Sequence, residues 1–315
     1  MLHKRLTLAP QATLLLLKLL SIATLTLCCG CNKSYYKANA TSTIATVNNN
    51  VCKKLMGKVT LYAIFVDTYT RQPWTAYDIK TTTDSIQKAM HWMEAQAASN
   101  GIDLSINLMV HQKEKVIPLQ QNLPEETLGQ SLFLPKLKEG VSNLNDWANS
   151  IARKAGAAFL PDTSSVVKTK NIITNRERLI ARLRNITQTD NVVIMYFLNS
   201  YYMDDYSLAL YTGSRSETEF AIVTFKTPSV IAHEFLHVFG ALDLYMSPFD
   251  KKKKQLRRKV AIMKQYPDEI MAFTRRPIEK LSLSVLTKYL IGWIPELSEE
   301  EKNRAFGKKL KIYKY

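Results

Sequence analysis

His233-Glu234-Phe235-Leu236-His237-Val238-Phe239-Gly240-Ala241-Leu242-Asp243 is the stretch on which the reading of this chain turns. Two histidines four residues apart on a helix lie on one face, about 40° apart around the axis. That spacing lets both imidazoles grip a single zinc ion. Glu234, beside the first histidine, can then take a proton from a water at the metal. The pattern points to metal-assisted hydrolysis, most often of a peptide bond.

The context fits a buried helix. Thr227-Pro228 supplies a cap and a first-turn proline. The run Val230 to Phe239 is apolar except for His233, Glu234 and His237, so the helix is apolar nearly all round and belongs in an interior. Burying those three groups without partners would cost on the order of several kcal/mol. A metal removes that penalty. The bland alternative is a core helix whose histidines only hydrogen-bond to their neighbours.

A third ligand follows by elimination. The chain has five histidines, His3, His91, His111, His233 and His237, and none lies beyond His237. Asp243 is six residues further on. A continuing helix would carry it away, but Gly240 can adopt the left-handed conformation that ends a helix and turns the chain back. Asp268 and Glu269 are the alternatives. His91 and His111 have no ligand spacing and read as structural.

The pattern HExxHxxGxxD resembles the metzincin metalloproteases in the aspartate variant of snapalysin-type bacterial proteases. The resemblance implies an α+β fold. Its upper lobe has a twisted mixed sheet beside a long helix and the zinc helix. Its lower lobe is smaller, mostly helical or irregular, and carries a methionine turn. Tyr266-Pro267-Asp268-Glu269-Ile270-Met271-Ala272 resembles that turn, with Met271 as its methionine, and 281–293 resembles the terminal helix. The implied site has Zn²⁺ on His233, His237 and Asp243, Glu234 as the catalytic base, and Gly240 and Met271 in support. The implied substrate is a protein or peptide, paired with an edge strand just before the zinc helix. Several metzincins carry a tyrosine two residues after the turn methionine. Here that position is Phe273, and Tyr245 is the nearest phenol in sequence that could compensate.

The N-terminus reads as a targeting segment. Lys4-Arg5 precedes an apolar run to Cys28, and Leu27-Cys28-Cys29-Gly30-Cys31 follows. This resembles a bacterial lipoprotein signal with Cys31 as the lipidated residue, although Cys28 stands where leucine is usual. The expected address is the outer membrane or cell surface, otherwise the periplasm or medium. The expected organisation is a signal over 1–30, a polar tether over 31–55, an upper lobe over 56–240 with an insertion at about 112–190, and a lower lobe over 241–315. Cys52 would be the one thiol left outside the signal and anchor, so the domain holds no internal disulfide. The rival class is a non-catalytic surface lipoprotein with a structural zinc that binds an envelope or host partner.

The 315 residues carry a net charge of +16. Part of it lies in Lys251-Lys252-Lys253-Lys254 and Arg257-Arg258-Lys259. This run could meet an anionic surface or simply be a solvated basic face. It has no interleaved aromatics and no nucleic-acid fold signature, so no nucleic-acid partner is expected.

Along the folded part, 58–67 reads as a buried strand, 82–98 as a helix and 102–111 as a strand. Helices are expected over 144–155 and near 176–184, and strands over 191–198, 206–211 and 220–225.

Overall fold

The computed structural model describes residues 54–69, 72–112, 115–123, 137–156, 175–189, 191–200, 207–210, 220–245 and 253–305. The signal segment, Cys31, Cys52, nearly all of the tether, and Lys251-Lys252 lie outside the described residues. Among those described, no helix is long and apolar enough to cross a membrane.

The fold is mixed α+β, built on a largely parallel sheet. In chain order the elements are β1 (Gly57–Asp67), α1 (Ala76–Ser99), β2 (Leu104–Val110), β3 (Leu119–Gln120), α2 (Leu137–Gly156) and α3 (Asn175–Thr187). Then come β4 (Asn191–Leu198), β5 (Leu208–Leu210), β6 (Phe220–Val223), α4 (Pro228–Val238), α5 (Lys253–Gln265), a 3₁₀ turn (Ile278–Lys280), α6 (Val285–Leu290) and α7 (Glu299–Ala305). The strand order is β2-β1-β4-β6-β5, with the short β3 also on β1. β1 runs parallel to β2, β3 and β4, and β4 parallel to β6. β5 is antiparallel to β6 and forms an edge.

The central strands are apolar on both sides because both faces are covered. Val59, Leu61, Ala63 and Phe65 of β1 join Val193, Met195 and Phe197 of β4 in a core shared with α1 and α4. The alternate residues Tyr62, Ile64, Val66, Ile194 and Tyr196 pack under α2 and α3. The helices of the 112–190 segment are thus the second layer on the sheet. Trp147 of α2 meets Tyr196 edge-on at 5.3 Å, and the Tyr196 hydroxyl donates to the Ala148 carbonyl at 3.1 Å.

Several element boundaries differ from the sequence expectation: α2 starts at Leu137, ahead of the expected 144, and α6 spans Val285–Leu290 within the expected 281–293. Two further shifts have a plain local reason. α1 begins at Ala76, six residues before the expected 82, because Thr75 and Asp78 form a capping box. β6 stops at Val223, short of 225, because the Ser207 hydroxyl accepts from the backbone amides of Thr224 and Phe225. The basic run is not a purely solvated face. Lys253 and Arg257 are exposed, whereas Lys259 is buried on α5.

If α2 and α3 are part of the core, Trp147→Ala should cost about 3–5 kcal/mol, seen as a lower midpoint in thermal unfolding. A change under about 1 kcal/mol would show instead that the segment is a removable addition.

Candidate metal centre

α4 carries the motif, and its sequence sets both ends. The Thr227 hydroxyl accepts from the Val230 amide and Pro228 fills the first turn. At the far end Gly240 has φ +95°. Its amide donates to the His237 carbonyl at 2.9 Å, and the Ala241 amide donates to Leu236 at 3.1 Å. These are the paired bonds of a Schellman turn, which reverses the chain. The reversal brings Asp243 back beside the two histidines.

His233 Nε2 and His237 Nε2 are 3.0 Å apart. Asp243 Oδ1 is 3.1 Å from each of them. All three residues are buried, and together they could hold a metal ion. The protons of both rings are fixed from behind. His237 Nδ1 lies 2.7 Å from the Ala241 carbonyl and His233 Nδ1 lies 3.3 Å from the Ile270 carbonyl. A carbonyl can only accept, so each Nδ1 carries a hydrogen and each neutral ring aims its Nε2 lone pair at the shared point.

Three lone-pair atoms facing one another in a dry interior repel unless a cation lies among them. The donor set suits a divalent transition metal. A tetrahedral site with bonds of about 2.0–2.1 Å has an edge of about 3.3–3.4 Å, so the observed triangle need open by only a few tenths of an ångström. Without metal, the apoprotein relieves the conflict with a proton. Burial alone would lower the pKa of His237, but the charge and hydrogen bond of Asp243, with Glu234 adding to them, lift it to about 9. Asp243 is held far below the usual carboxylate range: the two histidines outweigh its burial. His233 is lowered by burial and by the neighbouring His237. Glu234 is pushed up to about 8, chiefly by burial. Its Oε2 is buried with no hydrogen-bond partner among the described residues.

A second segment supports the group from below. The Met271 carbonyl accepts from the Leu244 amide at 2.9 Å, which fixes the backbone next to Asp243. Ile270 supplies the carbonyl behind His233. Glu269 anchors this turn. Its carboxylate has no exposure and accepts from the Met271 amide, the Ser284 amide and the Thr287 hydroxyl. Ser284 caps α6, so the carboxylate also faces a helix N-terminus. Burial raises the pKa of Glu269, while these hydrogen bonds pull it back.

Of the sequence candidates, His233, His237, Asp243 and Glu234 come together, with Gly240 and Met271 in the turns that hold them. The alternative ligands do not join the group. Asp268 pairs with Arg276, and Glu269 is committed to the turn. His91 is exposed. His111 is buried and its Nδ1 is 2.7 Å from the Tyr62 hydroxyl. Phe273 lies under the Arg276 guanidinium at 4.0 Å. The Tyr245 ring lies 6.3 Å from that of His233. The sequence reading missed the anchoring role of Glu269. Its signal was an acid at the head of an apolar run, Glu269-Ile270-Met271-Ala272-Phe273, which needs fixed donors if buried.

Comparison with protein-family models, with curated proteins and with solved structures finds no match to this chain.

A metal must displace the His237 proton, so protons and metal compete. Apparent metal affinity should rise about tenfold per pH unit from 6 to 8 and level off near 9, measured by competition with a chelating dye. Affinity flat over that range would contradict the protonated His237. Glu269→Gln should cost about 2–3 kcal/mol, because its amide nitrogen would face an N–H it cannot accept from, and should weaken metal binding. Unfolding midpoints and metal retention test this, and unchanged values for both would exclude the anchoring role.

Proposed function

We propose that the protein is a zinc-dependent endopeptidase of the metzincin type, with His233, His237 and Asp243 as ligands and Glu234 as general base. The observation that carries this reading is a three-donor group beside a buried glutamate whose Oε2 has no hydrogen-bond partner among the described residues. A structural zinc usually takes four protein ligands, and three leave a position for chemistry. When bound, the ion supplies Lewis acidity that polarises a carbonyl and makes water a nucleophile near neutral pH.

The chain's own groups do the rest. Glu234 accepts the proton of the attacking water and delivers it to the leaving amine. The Ala241 and Ile270 carbonyls keep the ligand rings aimed. Asp243 offsets one positive charge, so water at the site is less acidic than with three neutral ligands, and Glu234 matters more. Tyr245 is the phenol best situated to donate to the developing oxyanion, since Phe273 has no hydroxyl. β5, the outermost of the described strands on that side, antiparallel to β6 and ahead of the metal helix, is the strand on which an extended peptide would add.

The fold supports the family reading in kind. The long α1 and the metal helix α4 share one face of a mixed sheet, and a methionine turn underlies the site. The N-terminal pattern around Cys31 supports export and lipid anchoring, and the exposed part of the basic run supports contact with an anionic surface.

Casein-type cleavage with zinc-loaded protein should fall by at least about 10²-fold in Glu234→Gln, with zinc content unchanged. Tyr245→Phe should lower kcat by about 10²-fold with little change in KM. A zinc-loaded wild type without cleavage across a broad peptide library would instead favour the binding lipoprotein. Near wild-type turnover in Glu234→Gln would remove the mechanism.

A further inference from the structure

A cavity of about 410 Å³ opens where the first turns of α1 face the segment leading into α4. One wall is Asp78, Thr81, Thr82 and Ser85, spaced i, i+3, i+4, i+7 on one helix face. Further along α1 the inward face is apolar, with Ile86, Ala89, Met90 and Met93 in the core. The inward stripe thus changes from hydroxyls to hydrocarbon at the cavity's edge. The other wall is Ser200, Thr224, Phe225, Lys226 and Thr227.

Three observations define what fits there. First, the charges are balanced and tied together. Lys226 Nζ donates to Asn199 Oδ1 and lies over the Trp74 ring, while Asn199 Nδ2 donates to Asp78 Oδ2 at 3.3 Å. An anion would meet Asp78 and a cation would meet Lys226, so the ligand is neutral. Second, six of the nine lining residues carry hydroxyls, which donate and accept alike; those of Thr81 and Thr227 also bond to the backbone. Third, Thr224 is 1% exposed and its hydroxyl has no partner among the described residues. Thr82, 2% exposed, sits on the facing helix. A buried hydroxyl left without a bond is unfavourable, and a turn of the Thr224 side chain toward the cavity would let a ligand hydroxyl or amide satisfy it. Phe225 adds an apolar surface for a ring face.

We infer that this cavity binds a neutral saccharide unit, of hexose or N-acetylhexosamine size. A volume of this order is at the small end for ligand pockets. The site adjoins the Thr227 cap of α4 but shares no residue with the metal group, so it stands whether or not the metal centre cleaves peptides.

Saturation-transfer NMR on the full chain tests it, with glucose, galactose, N-acetylglucosamine and N-acetylgalactosamine as probes and alanine as a zwitterionic control. Transfer is expected from at least one sugar and not from alanine. Thr224→Val and Thr82→Val should each weaken binding about two- to tenfold, the worth of one hydrogen bond. Glu234→Gln should leave it unchanged. Retained metal content checks the fold of the valine variants, and Ser85→Ala, on the half-buried wall, serves if they do not fold. No transfer from any sugar, transfer from alanine alone, or sugar binding untouched in the cavity variants would overturn the assignment.

Discussion

Two imidazole nitrogens and a carboxylate oxygen held 3.0–3.1 Å apart impose a constraint on everything around them. Their lone pairs converge in a buried space, and backbone hydrogen bonds behind the two rings hold them there. One short turn does most of this. The left-handed Gly240 ends the helix, supplies the Ala241 carbonyl that fixes the His237 tautomer, and sends Asp243 back over the helix. An L side chain at that φ costs about 1–2 kcal/mol. The strain would fall on the turn that sets the ligand geometry, and not on a distant loop.

The second enforcement is a buried charge. Glu269 sits with no exposure, which is unfavourable unless its oxygens are satisfied. They are satisfied by two backbone amides and a hydroxyl drawn from the Ile270–Met271 turn and the start of α6. An apolar residue would fill the same volume but could not hold Ile270 and Met271 at fixed heights below the metal group. The carboxylate trades some stability for position. That trade makes sense where the carbonyl of Ile270 must meet His233, and the carbonyl of Met271 must meet the amide following Asp243.

The sequence declared the ligand group openly and the fold only in outline. HExxH, Gly240 and Asp243 are local signals, because spacing on a helix and a single turn residue determine them. The strands of 57–67 and 191–198 were legible as continuous apolar runs. Their two-sided burial was not assigned to a partner, because periodicity says that a face is covered and not by what. The covering layer, α2 and α3, was therefore read as an insertion. The start of α1 was misplaced since its first turns, Asp78, Thr81, Thr82 and Ser85, carry polar residues where an amphipathic pattern expects apolar ones. That break in the pattern coincides with the cavity wall. Glu269 was visible only as a possible ligand, since no sequence rule tells a carboxylate that binds a metal from one that binds amides.

Covering both faces of the sheet also bears on the geometry of the three-donor group. His233 and His237 sit on a helix that packs on one face, so motion of the sheet would move α4 against the turn at Ile270–Met271. α2 and α3 brace the opposite face through Trp147, Tyr196 and Phe220. A sheet packed on both sides is a stiffer floor than one open to water, because densely packed interiors resist deformation. Donor atoms must be held to fractions of an ångström for a preorganised site. The helical layer on the face of the sheet opposite α4 therefore contributes to the precision of the three-donor group.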